Sequence, residues 1–128
     1  MKRCVLDASA ILAVINGELG HEKLTPQLLA NSLLSTVNAT EAQSKLIVRG
    51  WNSDEAWNDV TGFVEEVLVF DELQARIAGD LTAQTRGLGL SLGDRACLAL
   101  ALSLRLPVYT TDRSWTKLTV GIPIHPIQ

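Results

Sequence analysis

At 128 residues, with 47% apolar and 20% charged side chains, the chain is long enough for one globular domain (1–128) and too apolar for a disordered one. A formal charge of −3 and a sequence pI near 5.3 exclude indiscriminate, charge-driven binding to DNA. The longest apolar run, Cys97 to Leu104, is interrupted by Ser103 and falls far short of the roughly 20 residues that span a bilayer.

Short apolar runs alternate with longer amphipathic ones, the pattern of a parallel sheet covered on both faces. Arg3–Asp7 reads as a first strand, followed by a helix over Ala8–Ile15 that stops near Asn16-Gly17. Glu18–Ala30 has helical character, but Pro26 predicts two pieces or a bend. A second strand is expected at Leu33–Thr36, then a helix over Asn38–Val48 stopped around Gly50. Asp54–Val64 forms its antiparallel neighbour, with Ser53 as N-cap. Val67–Phe70 is a third strand, and Asp71–Arg86 a long amphipathic helix ending in Gly87-Leu88-Gly89. Ser91–Leu104 is apolar around most of its circumference and belongs at the centre. Pro107–Thr110 is a fourth strand and Asp112–Leu118 a short turn or helix. An edge strand is expected near Ile122–Ile124, limited by Pro123 and Pro126. The expectation is an α/β fold whose central parallel sheet has four to five strands.

Cys4 and Cys97 fall in an apolar strand and an apolar helix, without the close spacing of a zinc or redox motif, and read as small buried hydrophobes. The chain opens on a strand and lacks a signal peptide's charged region plus apolar core, so a cytoplasmic protein is expected.

Four acids concentrate the chemistry. Asp7 closes the first strand, Glu41 enters the helix after the second, Asp94 opens the central helix and Asp112 follows the fourth strand. All four map to the carboxyl edge of one sheet, where open α/β folds place their sites. Removing these four negative charges from −3 leaves +1, so the acidity is concentrated in that group. Converging carboxylates repel one another, and a hard divalent cation, Mg²⁺ or Mn²⁺, relieves the repulsion. Each acid also has a simpler explanation. Asp7 can cap the following helix, Asn38-Ala39-Thr40-Glu41 and Ser91-Leu92-Gly93-Asp94 both fit capping boxes, and Asp112 can organise a turn. Capping leaves a second carboxylate oxygen free for a metal. Asp71 reads as an ordinary N-cap and is set aside.

The two histidines, His21 and His125, have no evident partner for a nucleophilic triad. Asp7-Ala8-Ser9-Ala10 lacks the glycines of a phosphate loop. Arg95, Arg113 and Trp115 lie next to the acids and are candidate contacts for a substrate's anionic or planar groups; a solvated surface accounts for the arginines as well. Trp51 and Trp57 are expected to pack between the helices they flank.

Val5-Leu6-Asp7-Ala8-Ser9-Ala10-Ile11-Leu12, Asn38-Ala39-Thr40-Glu41, Ser91 to Ala101 and Val108-Tyr109-Thr110-Thr111-Asp112 together resemble the signature of PIN-domain nucleases. The likeness is to the VapC-type ribonuclease toxins of prokaryotic toxin–antitoxin pairs, and it spans essentially the whole chain. It implies a three-layer α/β/α fold and Mg²⁺- or Mn²⁺-dependent hydrolysis of RNA phosphodiesters by metal-activated water. By position, Asp7, Glu41, Asp94 and Asp112 take the family's acidic site. Asp7, Asp94 and Asp112 would hold metal and Glu41 would orient or deprotonate the water, while Ser9 and Thr110 would support the acids. Some relatives carry a further acid just after the last Asp; here Arg113 and Ser114 stand there, which leaves the metal count open. The resemblance also implies a homodimer and a cognate antitoxin laid in an apolar groove, with Leu12, Val14, Ile15, Leu46, Ile47 and Val48 as candidate lining. Two other readings compete: a PIN-like module that binds without cleaving, and a phosphoacceptor regulatory domain using Asp7. The second would want paired acids after the first strand and a lysine after a late one, and this chain has neither.

Overall fold

In β1 (Cys4–Leu6) alternate side chains face opposite ways and all three residues are buried, so the strand has protein on both sides. Cys4 and Leu6 join one apolar cluster and Val5 the other. The same division splits Leu34 from Leu33 and Tyr109 from Val108. The computed structural model, which describes residues 2–128, builds this into a three-layer α/β/α arrangement.

Asp7 caps α1 (Ala8–Asn16), which ends at Gly17 in the left-handed region (φ 64°), a conformation that glycine adopts without a Cβ clash. The segment expected to bend at Pro26 is a 3₁₀ turn (His21–Lys23) followed by α2 (Pro26–Leu29). Pro26 starts a helix capped by Thr25, in the first turn where its missing N–H is not needed. β2 (Ser32–Ser35) leads into α3 (Thr36–Val48), and Ser35, accepting from the Val37 amide at 3.2 Å, is its cap. The expected Asn38–Glu41 capping box is therefore absent, because Asn38 lies inside the first turns. Asn52, not Ser53, caps α4 (Ser53–Gly62). β3 (Glu66–Leu68) is shorter than expected.

The single helix expected over Asp71–Arg86 is broken into α5 (Glu72–Asp80), capped by Asp71, then α6 (Thr82–Thr85) and a 3₁₀ turn (Arg86–Leu88). At the break, Leu81 turns into the core, and the Ala78 carbonyl accepts from Arg95 Nη1 at 2.9 Å. α7 (Leu92–Leu104) carries the Ser91–Asp94 capping box that was expected. β4 (Val108–Thr110) is followed by a 3₁₀ helix (Arg113–Lys117), and β5 (Ile124–Pro126) lies two residues later than expected.

The five strands are parallel in the order β3-β2-β1-β4-β5. Buried residues of α1, α3 and α4 fill one cluster, and those of α7 with Leu81 fill the other, with Ile77 of α5 packed against it. The chain winds outward from β1 to β3, then returns to place β4 on the far side of β1. Winding thus reverses between β1 and β4, and a crevice opens there beyond the carboxyl ends of the two strands.

Candidate active site

The crevice between β1 and β4 holds Asp7, a 4% exposed carboxylate fixed by three donors. Its Oδ1 accepts from Ser9 Oγ at 2.7 Å and from the Ala10 amide at 2.8 Å; its Oδ2 accepts from Thr110 Oγ1 at 2.7 Å. Parallel pairing of β1 with β4 brings Thr110 across a separation of 103 residues. Each hydroxyl also accepts a backbone N–H from the turn after β4, Ser9 from Thr111 and Thr110 from Asp112, both at 3.1 Å. The rotor of each hydroxyl is thereby set toward Asp7. Burial pushes the Asp7 carboxyl up to about 6. The Ser9, Thr110 and Ala10 hydrogen bonds oppose that rise, and the negative charge of Asp94 adds to it.

Glu41, on α3, and Asp94, on α7, approach from the other side. Asn38 joins the two helices: its Nδ2 donates to Glu41 Oε1 at 2.8 Å and to the Gly93 carbonyl at 3.0 Å. Gly93 is a residue that sequence reasoning passed over. A Cβ there would occupy the space of the Glu41 carboxylate, so any other residue would have to displace that side-chain end from the start of α7. The one sequence signal is a glycine in the first turn of an otherwise strongly helical run, where alanine would be favoured. Asp94 uses Oδ2 to accept from the Ser91 amide at 2.9 Å, which leaves Oδ1 for other partners. Beneath the acids, burial drives the Cys97 thiol well above its ordinary range, and Asp7, Asp94 and Glu41 each push it further. Three carboxylates thus act electrostatically on this one buried side chain.

Asp112 stands apart from them. Its backbone joins the network through Thr110, but its exposed carboxylate caps its own turn, accepting from the Ser114 amide at 2.9 Å. Among the described residues no three His, Cys, Asp or Glu side chains are close enough to share one ion as they stand. The donor set nonetheless fits a hard cation. It is all oxygen, the carboxylates repel, and Asn38 Oδ1 is a buried acceptor with no partner among the described residues. Mg²⁺ in particular keeps several waters and needs one or two carboxylates. Asp7, and Asp94 with its Oδ1 unbonded, would be the carboxylates to offer such an ion.

Of the three residues expected to contact RNA, Trp115 needs correction, and both arginines are engaged within the protein. Trp115 is 1% exposed and packs with Val108 and Leu98 in the core, so no base can stack on it. Arg95 turns to the helix layer, donating to the Ala78 carbonyl and to Thr82 Oγ1 at 3.0 Å. Arg113 Nη1 donates to the backbone carbonyl of Gln128 at 2.6 Å. The arginines hold chain segments together; their proximity to the acids in sequence did not reveal their direction.

No curated protein matches the sequence. The fold is similar to the DNA-bound VapBC complex from Salmonella typhimurium (20% identity, 100% of each chain covered, TM-score 0.76). It is also similar to a toxin–antitoxin complex from Klebsiella pneumoniae (16% identity, 98% of each chain, TM-score 0.74). Mycobacterium tuberculosis VapC20, a sarcin–ricin loop cleaving toxin, shares 16% identity over 94% of this chain and 98% of its own, at a TM-score of 0.73. A family model for the PIN domain matches residues 4–120, nearly the whole length, and the chain belongs to the PIN-domain family.

Proposed function

We propose that the protein is the toxin of a type II toxin–antitoxin pair, a Mg²⁺- or Mn²⁺-dependent endoribonuclease acting as one domain in the cytoplasm. The observation that carries this reading is Asp7, buried and fixed by three donors at the reversal of the sheet's winding, with Asp94 and Glu41 acting electrostatically on the same buried Cys97 as Asp7 does. A bound divalent ion would lower the pKa of coordinated water, neutralise the phosphate and steady the leaving oxygen. The chain's own residues do the rest. Ser9, Thr110 and the Ala10 amide fix Asp7 so that its charge is ready without rearrangement. Glu41, tethered by Asn38 over Gly93, keeps Oε2 free to orient an attacking water or take its proton. Asp94 offers Oδ1 while Oδ2 anchors it to the helix start. Asp112 lies at the rim, where a small rotation of its exposed side chain would complete the acidic ring.

Similarity to VapBC and other toxin–antitoxin complexes supports an antitoxin partner, and a homodimer is part of the same proposal. Of the apolar residues first considered for the groove, Leu12 and Leu46 are core. Val48 (87% exposed) and Ile47 (40%) are left on the outer face of α3 for a partner to cover. The absence of a preassembled three-acid set is what a silent binding module would also show, and an activity assay separates the two. Purified protein should cleave RNA with Mg²⁺ or Mn²⁺ and stop in EDTA. Asp94→Asn should lower the rate by on the order of 10²–10³ while the fold survives. Undiminished cleavage in EDTA or by the variant would overturn the proposal.

A further inference from the structure

The end of the sheet remote from the acids carries a feature that the nuclease reading does not use. A cavity of about 780 Å³ opens at the amino ends of β1, β4 and β5. Lys2 and Arg3 enter it just before β1, Arg105 just before β4, and Lys23 from the 3₁₀ turn after α1. In a chain of net charge −3, four of the 11 lysines and arginines line this one cavity, and no carboxylate does so among the described residues. Arg3 is shared with Glu65 and Glu66 at 3.4 and 3.9 Å. Lys23 and Arg105 have no ion-pair partner among the described residues.

Two further observations give the cavity a shape preference. Tyr109 and His125 sit opposite each other in the β4–β5 register, with ring centroids 4.9 Å apart and planes at 36°, and form an aromatic wall. Leu28, Leu106, Pro107 and Pro123 extend that wall with apolar surface. Arg105 is held at φ 56°, the only positive value among the described non-glycine residues, at a helix end where glycine is the favoured residue. A side chain kept at such a position is a pointer to a role for that side chain.

We propose that this cavity binds a nucleoside phosphate, its base against Tyr109 and His125 and its phosphate on Lys23 and Arg105. A bare phosphate would leave the aromatic wall uncovered, and a neutral aromatic would leave the cations uncompensated. The volume falls in the range of about 300–1,000 Å³ typical of small-molecule sites. Recognition here is by side chains and is independent of the acids. The same chemistry is offered by a free nucleotide and by the 5′-phosphorylated end of an RNA strand.

Titration of the full chain in EDTA with three probes tests this: AMP, inorganic phosphate, and a 5′-phosphorylated trinucleotide. Saturable AMP binding is expected, competed by phosphate. Arg105→Gly should weaken it roughly tenfold, the loss of one charge-assisted hydrogen bond. Because glycine suits the backbone at that position, this variant should also melt at a higher temperature than the parent. His125→Ala should weaken AMP and leave phosphate unchanged. Binding of the trinucleotide with no binding of AMP would support the site and assign the strand end as its ligand. AMP affinity unchanged in a folded Arg105→Gly variant, or no saturable binding of any probe, would overturn the proposal. RNA cleavage by Arg105→Gly, measured separately with Mg²⁺, keeps failure here distinct from failure of the nuclease reading.

Discussion

The two ends of the sheet hold opposite charge by opposite means. At the carboxyl ends, Asp7 is 4% exposed and immobilised by three donors, and Glu41 is tethered by a buried amide over a bare glycine. At the amino ends, Lys2, Arg3, Lys23 and Arg105 are exposed, long and largely untethered. Acids held by a helix cap, a capping box and a buried amide can be preorganised, whereas long cations on solvated stems keep their freedom until something binds. The lesson is energetic: the acidic end carries a folding penalty that a cation would remove, and the basic end carries almost none, because water already screens it.

The largest expected effect follows from Asp7. An unfolded aspartate titrates near 3.8 and the folded Asp7 near 6. Below about pH 4 the group is protonated in both states and adds no penalty. From there to pH 6 the native state retains a proton that the unfolded chain has released, so stability falls as pH rises. Above pH 6 the penalty is complete, at about 3 kcal/mol. Urea unfolding in EDTA should show this loss between pH 4 and pH 7.5, and Asp7→Asn should flatten it. A wild-type stability that rises over that interval would break the contrast between the two ends.

Next comes Gly93. Alanine there should displace the Glu41 carboxylate and lower cleavage by about 10–100-fold, the usual range for losing a supporting contact at a metal site. Helix propensity gains up to about 1 kcal/mol from the same change, so stability should move little. Loss of fold instead of loss of rate would show that Gly93 serves packing alone. The smallest effect is at Arg95. Arg95→Ala removes donors to Ala78 and Thr82 and should lower stability by about 1–2 kcal/mol in a denaturant melt, with the cleavage rate unchanged. A rate loss at full stability would return Arg95 to the substrate.

Much of this was legible in the residues. Alternating apolar runs gave the parallel sheet, Asp71 and Ser91 announced their helices, and Asp7 stood at the end of β1, where β4 meets it. What escaped depends on contacts distant in sequence. Arg95 bonds a carbonyl 17 residues back and so helps to end α5, and no periodicity carries that information. Trp115 looked like a platform because it follows the acids, yet burying an indole against Val108 outweighs exposing it. Gly93 mattered only once Glu41 had been placed above it. The basic cavity was invisible for the same reason: its four cations come from three separate segments, each unremarkable alone.

The central claim, that the acidic end is a cation site whose charge is held in readiness, is tested most directly by calorimetric titration of the metal-free protein with Mn²⁺ in buffers of different ionisation enthalpy. With Asp7 titrating near 6, about half a proton should be released per ion bound at pH 6 and almost none at pH 8. Asp7→Asn should lose both the proton release and most of the affinity. Binding that releases no proton at pH 6, or that survives unchanged in Asp7→Asn, would contradict the account.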